Sequence, residues 1–199
     1  MIIKVENIAK SFRKKIVLRD VNFNMEKGSL CGIVGENGTG KSTILRIIVG
    51  ECKADSGNVY VDGKLGYCPQ NTLLFSQLTV DEHFHYFSAA YGIGKDELYD
   101  HCEELMIHFN YKQFKNEKIA NLSGGTKQKL NLSIALISQP DLLILDEPYN
   151  GFDWDTYLMF WDYTARLQEK GCAILVVTHM LSEKERFDRI YNLENGYLV

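Results

Sequence analysis

The chain has few prolines and no long apolar run. Three prolines occur in 199 residues, and no low-complexity stretch forms an obvious linker. No apolar run reaches the ~18 residues that a membrane-spanning helix needs. We therefore expect one compact domain over residues 1–199. Any membrane-spanning part of the assembly is expected to belong to another chain.

The cysteines show neither of the common cysteine patterns. Their positions are Cys31, Cys52, Cys68, Cys102 and Cys172, an odd number with no C-x-x-C pair. A disulfide framework or a zinc cage is therefore not indicated. The thiols are expected to be reduced, as in the cytosol.

The sequence also lacks an excess of basic residues. It has 22 lysines and arginines against 26 aspartates and glutamates, which gives a formal net charge of −4. Nucleic-acid grooves are usually recognised by clustered positive charge. No nucleic-acid partner is expected.

Short apolar runs alternate with helical patterns, which predicts one α/β domain around a mainly parallel sheet. Buried strands are predicted at residues 2–5, 30–34, 142–146 and 173–177. Helices are predicted at residues 41–49, 81–90, 96–107, 124–137 and 154–169. Most of the helical pattern between roughly residues 75 and 138 is interpreted as a helical lobe inserted between two sheet segments.

Two smaller patterns give specific expectations. Residues 58–61 and 64–67 flank Asp62-Gly63, a sequence typical of a tight turn, and are predicted to form a β-hairpin. In the last predicted helix, residues at three- and four-residue spacing are predicted to face the core and not to form a base-stacking platform. They are Trp154, Tyr157, Leu158, Trp161 and Ala165.

A glycine-rich segment between the strand at 30–34 and the following helix has the pattern G-x-x-x-x-G-K-[ST]. Its candidate ligand-binding residues are Gly35, Asn37, Gly38, Thr39, Gly40, Lys41, Ser42 and Thr43. Backbone N–H groups at a helix N-terminus bind phosphate oxygens. Lys41 would neutralise the β- and γ-phosphates, and the Ser42 hydroxyl would ligate Mg²⁺. A plain glycine-rich turn is the alternative.

Two carboxylates end the strand at 142–146. In the chemistry of phosphoryl transfer, Asp146 would hold Mg²⁺, directly or through water, and Glu147 would act as general base on the attacking water. A solvated strand end is the alternative, but the upstream phosphate loop favours the functional interpretation.

Leu122-Ser123-Gly124-Gly125-Thr126 precedes a predicted helix and resembles the signature motif of ABC ATPases. The chain is therefore identified as resembling the nucleotide-binding domain of an ABC transporter. That resemblance implies a P-loop NTPase fold with a trimmed antiparallel β subdomain and an inserted helical lobe. It also implies that Ser123, Gly124 and Gly125 contact the γ-phosphate held by a second ATPase subunit. The alternative interpretation is that Ser123 is simply a helix N-cap.

The same resemblance assigns roles to four further residues. Phe12 matches an aromatic that stacks on adenine, and Gln70 matches a glutamine that touches Mg²⁺ or water. Asp153 matches the aspartate of a loop that crosses the dimer interface, and His179 matches a histidine that contacts the γ-phosphate. The alternatives are a core aromatic for Phe12, a surface glutamine for Gln70 and a structural histidine for His179.

Some positions depart from the family pattern. Thr126 replaces the usual glutamine, and the interface loop reads Asn150-Gly151-Phe152-Asp153 instead of Ser-Ala-Leu-Asp. The chain also ends soon after Gly196, which leaves no room for a regulatory C-terminal domain. Since no charge needed for hydrolysis is lost, the active site is expected to function.

The implied protein is the ATPase subunit of an ABC transporter, using ATP and Mg²⁺ and dimerising beneath a separate transmembrane permease. The compact domain and the run Gly66-Tyr67-Cys68-Pro69-Gln70 look like those of exporters. The expected location is cytoplasmic, on the inner face of the membrane through the permease. A soluble ABC-type ATPase acting on nucleic acid or ribosomes is the alternative, and a P-loop kinase is a third possibility.

Overall fold

The computed structural model describes residues 1–13, 15–179 and 183–199, and for residues 95–99 it describes the backbone alone. Its strands are β1 Ile3–Phe12, β2 Lys15–Met25, β3 Leu30–Val34, β4 Ser56–Val61, β5 Leu65–Cys68, β6 Leu142–Asp146, β7 Ala173–Thr178, β8 Arg189–Glu194 and β9 Tyr197–Leu198. Its helices are α1 Lys41–Ile48, α2 Val80–Tyr91, α3 Lys95–His108, α4 Gly124–Leu136 and α5 Trp154–Glu169, with short 3-10 turns between some elements.

The larger sheet has the order β5-β6-β7-β3-β8-β9. The first five strands in this order, from β5 to β8 and including β3, pair in parallel. The last strand, β9, pairs antiparallel with β8. Every residue of β6 and β7 is buried, which explains why both strands are continuous apolar runs without alternation. The predicted α/β fold with a mainly parallel sheet is confirmed.

A second, antiparallel sheet of order β2-β1-β4 packs its apolar face onto helix α1 and the larger sheet. β1 runs well beyond the predicted strand at 2–5, and its pairing with β2 contains irregular steps after Val5. These irregularities interrupt the simple alternation of apolar and polar residues. They explain why the sequence pattern indicated only the first part of β1 and did not indicate β2.

The predicted β-hairpin around Asp62-Gly63 is wrong. Val61, at the end of β4, pairs with Ile3 in the antiparallel sheet, whereas Leu65, at the start of β5, pairs with Leu142 in the parallel sheet. Gly63, at φ 101°, turns the chain between the sheets. Just beyond it, the Asp141 carboxylate accepts a hydrogen bond of 2.8 Å from the Lys64 backbone N–H. The two strands that flank this bend pair with different partners, because tertiary pairing and not the local sequence decides which strands meet.

Helices α2, α3 and α4 lie between β5 and β6 along the chain. Thr79 begins α2 with a capping box, because its hydroxyl accepts from Glu82 N–H while the Glu82 carboxylate accepts from Thr79 N–H. Phe84, Leu105 and Met106 from these helices are buried in the same apolar cluster as Leu143 and Leu145 of β6. The helices therefore share a core with the sheet.

The predicted core face of α5 is partly wrong. Trp161 is buried, but Trp154 is 67% and Leu158 is 45% exposed, and Ala165 is also exposed. Tyr157 is partly buried against the core, and the exposed Trp154 stacks on it with ring centroids 5.6 Å apart. The buried face instead comprises Thr156, Phe160, Trp161, Tyr163 and Thr164. Both faces carry aromatic residues, so periodicity alone could not choose between them.

In the described ranges, none of the helices combines the length and the apolar character that crossing a bilayer requires.

His83 on α2 is fully buried among aromatic rings. Its ring centroid lies 5.6 Å from that of Phe75 and 5.0 Å from that of Phe87. Neither ring nitrogen has a hydrogen-bond partner among the described residues. Burial lowers the pKa of His83 from 6.5 to about 4, because the apolar surroundings disfavour the imidazolium.

Replacing His83 with Phe should weaken the dependence of stability on pH. The unfolded chain protonates His83 near pH 6.5 and the folded chain only near pH 4, so wild-type stability falls as the pH decreases between these values. In His83→Phe this contribution, up to about 3 kcal/mol, should disappear from the free energy of unfolding measured in urea. His85→Gln, at an exposed position of the same helix, is the control. Parallel pH curves for His83→Phe and wild type would contradict the assignment.

Candidate functional site

The predicted site residues follow or end four parallel strands, at one edge of the larger sheet. The glycine-rich loop follows β3, Gln70 follows β5, Asp146 ends β6, and His179 follows β7. In parallel strands these carboxyl ends lie together, which is where ligands bind in open α/β sheets. A cavity of about 360 Å³ opens there. The predicted residues that line it are Asn37, Gly38, Gly40, Lys41, Ser42, Thr43, Gln70, Asp146 and Glu147.

The loop between β3 and α1 forms an anion-binding helix start. Gly40, the residue before α1, has φ 113°, and a Cβ atom there would lie 2.9 Å from Val17 Cγ1 and 3.0 Å from Leu18 Cδ2. Only glycine fits this close approach to β2. No side chain caps α1, and its first turn has no acidic residue. The free N–H groups and the positive end of the helix dipole therefore suit a phosphate group.

Lys41 places a positive charge at the same point. Its side chain is 7% exposed, and its ammonium group donates to the carbonyl oxygens of Gly35 at 2.7 Å and Glu36 at 3.0 Å. These contacts hold the lysine across the loop, where it lines the cavity. An ammonium group held at this point can attract phosphate oxygens.

Asp146 and Ser42 supply oxygen atoms that fit Mg²⁺. The Ser42 side chain is a hydrogen-bond partner of the buried Asp146 carboxylate, so the two candidate ligands are adjacent. Burial and the nearby Glu147 raise the pKa of Asp146, while Ser42 and Lys41 oppose that rise. A hydroxyl and a carboxylate are the ligands that a hard ion prefers beside phosphate oxygens. Among the described residues, no group of three or more His, Cys, Asp or Glu side chains is placed to hold a metal ion.

Glu147 is held by several hydrogen bonds from the end of β7. Its Oε2 accepts from the Thr178 hydroxyl at 2.9 Å, and its Oε1 accepts from His179 N–H at 2.8 Å. The His179 imidazole Nδ1 also lies 2.8 Å from Oε1. The Glu147 backbone has φ 49°, an uncommon value for a residue with a side chain, and its N–H donates to Val177 at 2.8 Å. β7 therefore holds both the backbone and the carboxylate of Glu147.

Thr178 and Val17 belong to the site but were not predicted from the sequence. Thr178 is buried at the end of β7 and orients Glu147, and Val17 lines the cavity from β2. A threonine next to His179 at a strand end was a signal that could have indicated the first. No sequence signal pointed to Val17, because the sequence pattern did not indicate β2.

Three other predicted residues, Gly35, Thr39 and Phe12, do not line the cavity. Gly35 contributes its carbonyl to the Lys41 contact, and the Thr39 hydroxyl donates to the Glu36 carbonyl at 2.9 Å.

Phe12 ends β1, is 45% exposed, and has Lys10 Nζ 5.4 Å from its ring centroid. The core alternative for Phe12 is therefore wrong, and adenine stacking stays a prediction.

The signature residues are outside this cavity. Ser123 is the N-cap of α4, and its hydroxyl accepts from Thr126 N–H at 3.2 Å, so the capping role weighed from the sequence is present. A Cβ atom on Gly125 would lie 3.0 Å from the Gly151 carbonyl oxygen, which places the signature beside the predicted interface loop. Asp153 caps α5 by accepting from Thr156 N–H at 2.8 Å. Ser123, Gly124, Gly125 and Asp153 therefore form a separate surface whose contact with nucleotide stays a prediction.

The helix-start phosphate site, the buried lysine and the strand-end acids define a P-loop nucleotide-binding protein. The sequence model of the ABC transporter family matches residues 18–150. The chain belongs to this family of ABC transporter ATP-binding proteins, and it is an ATPase.

Individual relatives agree with this assignment. An ABC transporter ATP-binding protein of Methanocaldococcus jannaschii is 35% identical over 198 residues, covering 99% of this chain and 76% of the relative. The linearmycin resistance ATP-binding protein LnrL of Bacillus subtilis is 31% identical over 210 residues, covering 99% and 68%. A bacterial ABC transporter cassette with a dimeric structure has a TM-score of 0.89 and 27% identity, covering 98% of this chain and 96% of that chain.

Lys41→Ala should weaken ATP binding by at least tenfold, about 1.4 kcal/mol, because it removes the cavity's buried ammonium group. Isothermal titration calorimetry with the purified chain measures this change. Lys53→Ala, at an exposed position away from the cavity, is the matched control and should bind as wild type does. Unaltered ATP affinity in Lys41→Ala would count against the phosphate-site assignment.

Proposed function

We propose that this chain is the ATPase subunit of an ABC exporter and works as a dimer beneath a separate transmembrane permease. The observation that carries the proposal is the separation between two surfaces of one chain. The cavity holds the phosphate loop and Glu147, while Ser123 and Gly125 lie outside it, beside Gly151. A second copy or a related ATPase subunit would bring its signature surface over the cavity.

The two surfaces have complementary chemistry for one triphosphate. The cavity offers Lys41 and the α1 start to the phosphates from one side. The signature surface offers the start of α4, with Ser123 and two glycines that leave its backbone accessible. The dimeric structure of a bacterial cassette that is 27% identical supports the same assembly here. Nucleotide binding would then close the dimer, to the extent that ATP binds the closed state more tightly than the open state.

Hydrolysis is assigned to the β6 and β7 ends. Glu147 would accept a proton from the attacking water, and Thr178 and His179 keep its carboxylate pointing into the cavity. His179, 45% exposed, would reach the γ-phosphate from the same edge. Mg²⁺, when bound, would neutralise charge on the phosphates, and Ser42, Asp146 and Gln70 are the residues that would hold it.

The membrane partner and the direction of transport rest on the relatives. Two relatives of which the chain covers 76% and 68% are named ATP-binding proteins, a name that suits an ATPase working with separate membrane chains. One of them is named for resistance to linearmycin, and removal of a toxic compound is one way to become resistant to it. We therefore place this chain in the cytoplasm, on the inner face of the membrane, as part of an exporter.

Glu147→Gln should trap the ATP-bound dimer. The substitution removes the general base but keeps the shape of the side chain, so ATP should bind without turnover. Size-exclusion chromatography with Mg²⁺ and ATP should show a dimer that is absent without nucleotide. An active Glu147→Gln enzyme would remove Glu147 from its role.

Adding Ser123→Asp to Glu147→Gln tests the signature surface. Aspartate also caps helices well, so α4 should remain intact while the new negative charge repels the opposed phosphate. The trapped dimer should be lost. Ser76→Asp, the same substitution at an exposed position outside both surfaces, is the matched control and should leave the dimer intact. A dimer that survives Ser123→Asp would contradict the proposed sandwich.

Affinity purification of the tagged chain from solubilised membranes tests the proposed partner. We expect a protein with several membrane-spanning segments to copurify, and its deletion should release the ATPase from the membrane fraction. Copurification with ribosomes or nucleic acid instead would favour the alternative function.

A further inference from the structure

Asn131 connects helix α4 to the segment that carries Gln70. Its side chain is 5% exposed, in the interior between α4 and β5. The amide nitrogen Nδ2 donates to the Pro69 carbonyl oxygen at 2.9 Å and lies 3.2 Å from Cys68 Sγ. One buried side chain thus uses both of its N–H groups on two consecutive residues.

These contacts lie where the chain leaves β5, just before Gln70. β5 ends at Cys68, so sheet pairing no longer fixes the backbone at Pro69. Pro69 also has no N–H group with which to anchor itself. The hydrogen bond from Asn131 therefore orients the peptide group that joins Pro69 to Gln70, and with it the direction in which Gln70 enters the cavity.

Gln70 lines the cavity together with Ser42 and Asp146. A displacement of about 1 Å in a group that orients water or a metal ligand is enough to lower a catalytic rate strongly. Asn131 itself does not line the cavity. Its effect on the reaction must therefore pass through the backbone of residues 69 and 70.

The same helix begins at the signature surface. Ser123 caps α4, and Asn131 follows eight residues later, about 12 Å along the helix. A shift of α4 at the signature surface would therefore be felt at Pro69. On a different face of the helix, Ser133 accepts a hydrogen bond of 2.7 Å from the Tyr111 hydroxyl of the helical region.

We propose that Asn131 is a positioning residue for ATP hydrolysis, which holds the Pro69 carbonyl so that Gln70 stays beside Ser42 and Asp146. Where it concerns coupling to dimer closure, this inference rests on the proposed function. In this proposal Asn131 does not touch the nucleotide. It acts only by positioning Gln70.

Asn131→Leu tests the proposal, because leucine keeps much of the volume and removes both N–H groups. We expect kcat for ATP to fall about tenfold while KM for ATP changes less than about twofold. In hydrogen-exchange mass spectrometry without nucleotide, the amide of Gln70 and those just after it should exchange faster than in wild type. Asn131→Asp, which has the same shape but turns an acceptor toward the Pro69 carbonyl, should have at least the same effect.

A double-mutant cycle separates positioning from general destabilisation. Gln70→Ala should itself lower kcat, and adding Asn131→Leu should then lower it by less than about twofold. Tyr111→Phe removes a buried hydrogen bond from a different face of α4 and is the matched control, with kcat expected within about twofold of wild type.

Three results would overturn the proposal: an unchanged kcat in Asn131→Leu, the same fold loss with and without Gln70, or no loss in Gln70→Ala. The dimer trapped by Glu147→Gln is measured separately. A trapped dimer together with any of these three results would reject the role of Asn131 and leave the proposed function standing.

Discussion

The parallel pairing of β5, β6, β7 and β3 is the constraint on which the site depends. Each strand ends at the same edge, so groups more than a hundred residues apart in sequence, such as Lys41 and Glu147, line one cavity. One link across that edge runs between the neighbouring strands β6 and β7. Glu147 follows β6, and its carboxylate is held by Thr178 and His179 from the end of β7. The arrangement of these side chains in the cavity is therefore a direct product of strand order.

The cavity concentrates buried charge, which an ordinary core avoids. Lys41, Asp146 and Glu147 are each less than a tenth exposed. Backbone carbonyls accept from Lys41, Ser42 is hydrogen-bonded to Asp146, and β7 satisfies Glu147. Because these partners keep the groups oriented, little rearrangement is needed when a triphosphate arrives. The burial that raises the pKa of Asp146 is the same burial that strengthens electrostatic interactions with a bound phosphate.

Two of the predicted interface residues, Ser123 and Asp153, are also helix N-caps. Ser123 and Asp153 stabilise the starts of α4 and α5, and both belong to the surface formed around Gly125 and Gly151. A cap satisfies backbone N–H groups in the first turn of its helix, so both helix starts at this surface are stabilised. Asn131, farther along α4, links that helix to the segment that leads into the cavity.

The sequence by itself determined the local parts of this protein. The phosphate loop, the strand-end acids and the helix starts at Lys41, Gly124 and Trp154 follow from short-range patterns, because caps, glycines and apolar runs act within a few residues. Only the tertiary structure decided which strands pair and which faces are buried. It sent β4 and β5 into different sheets in place of a hairpin, and it exposed Trp154 while burying Trp161. It also brought Thr178 to Glu147 and Asn131 to Pro69. These outcomes depend on contacts between residues far apart in the chain, and no local pattern encodes them.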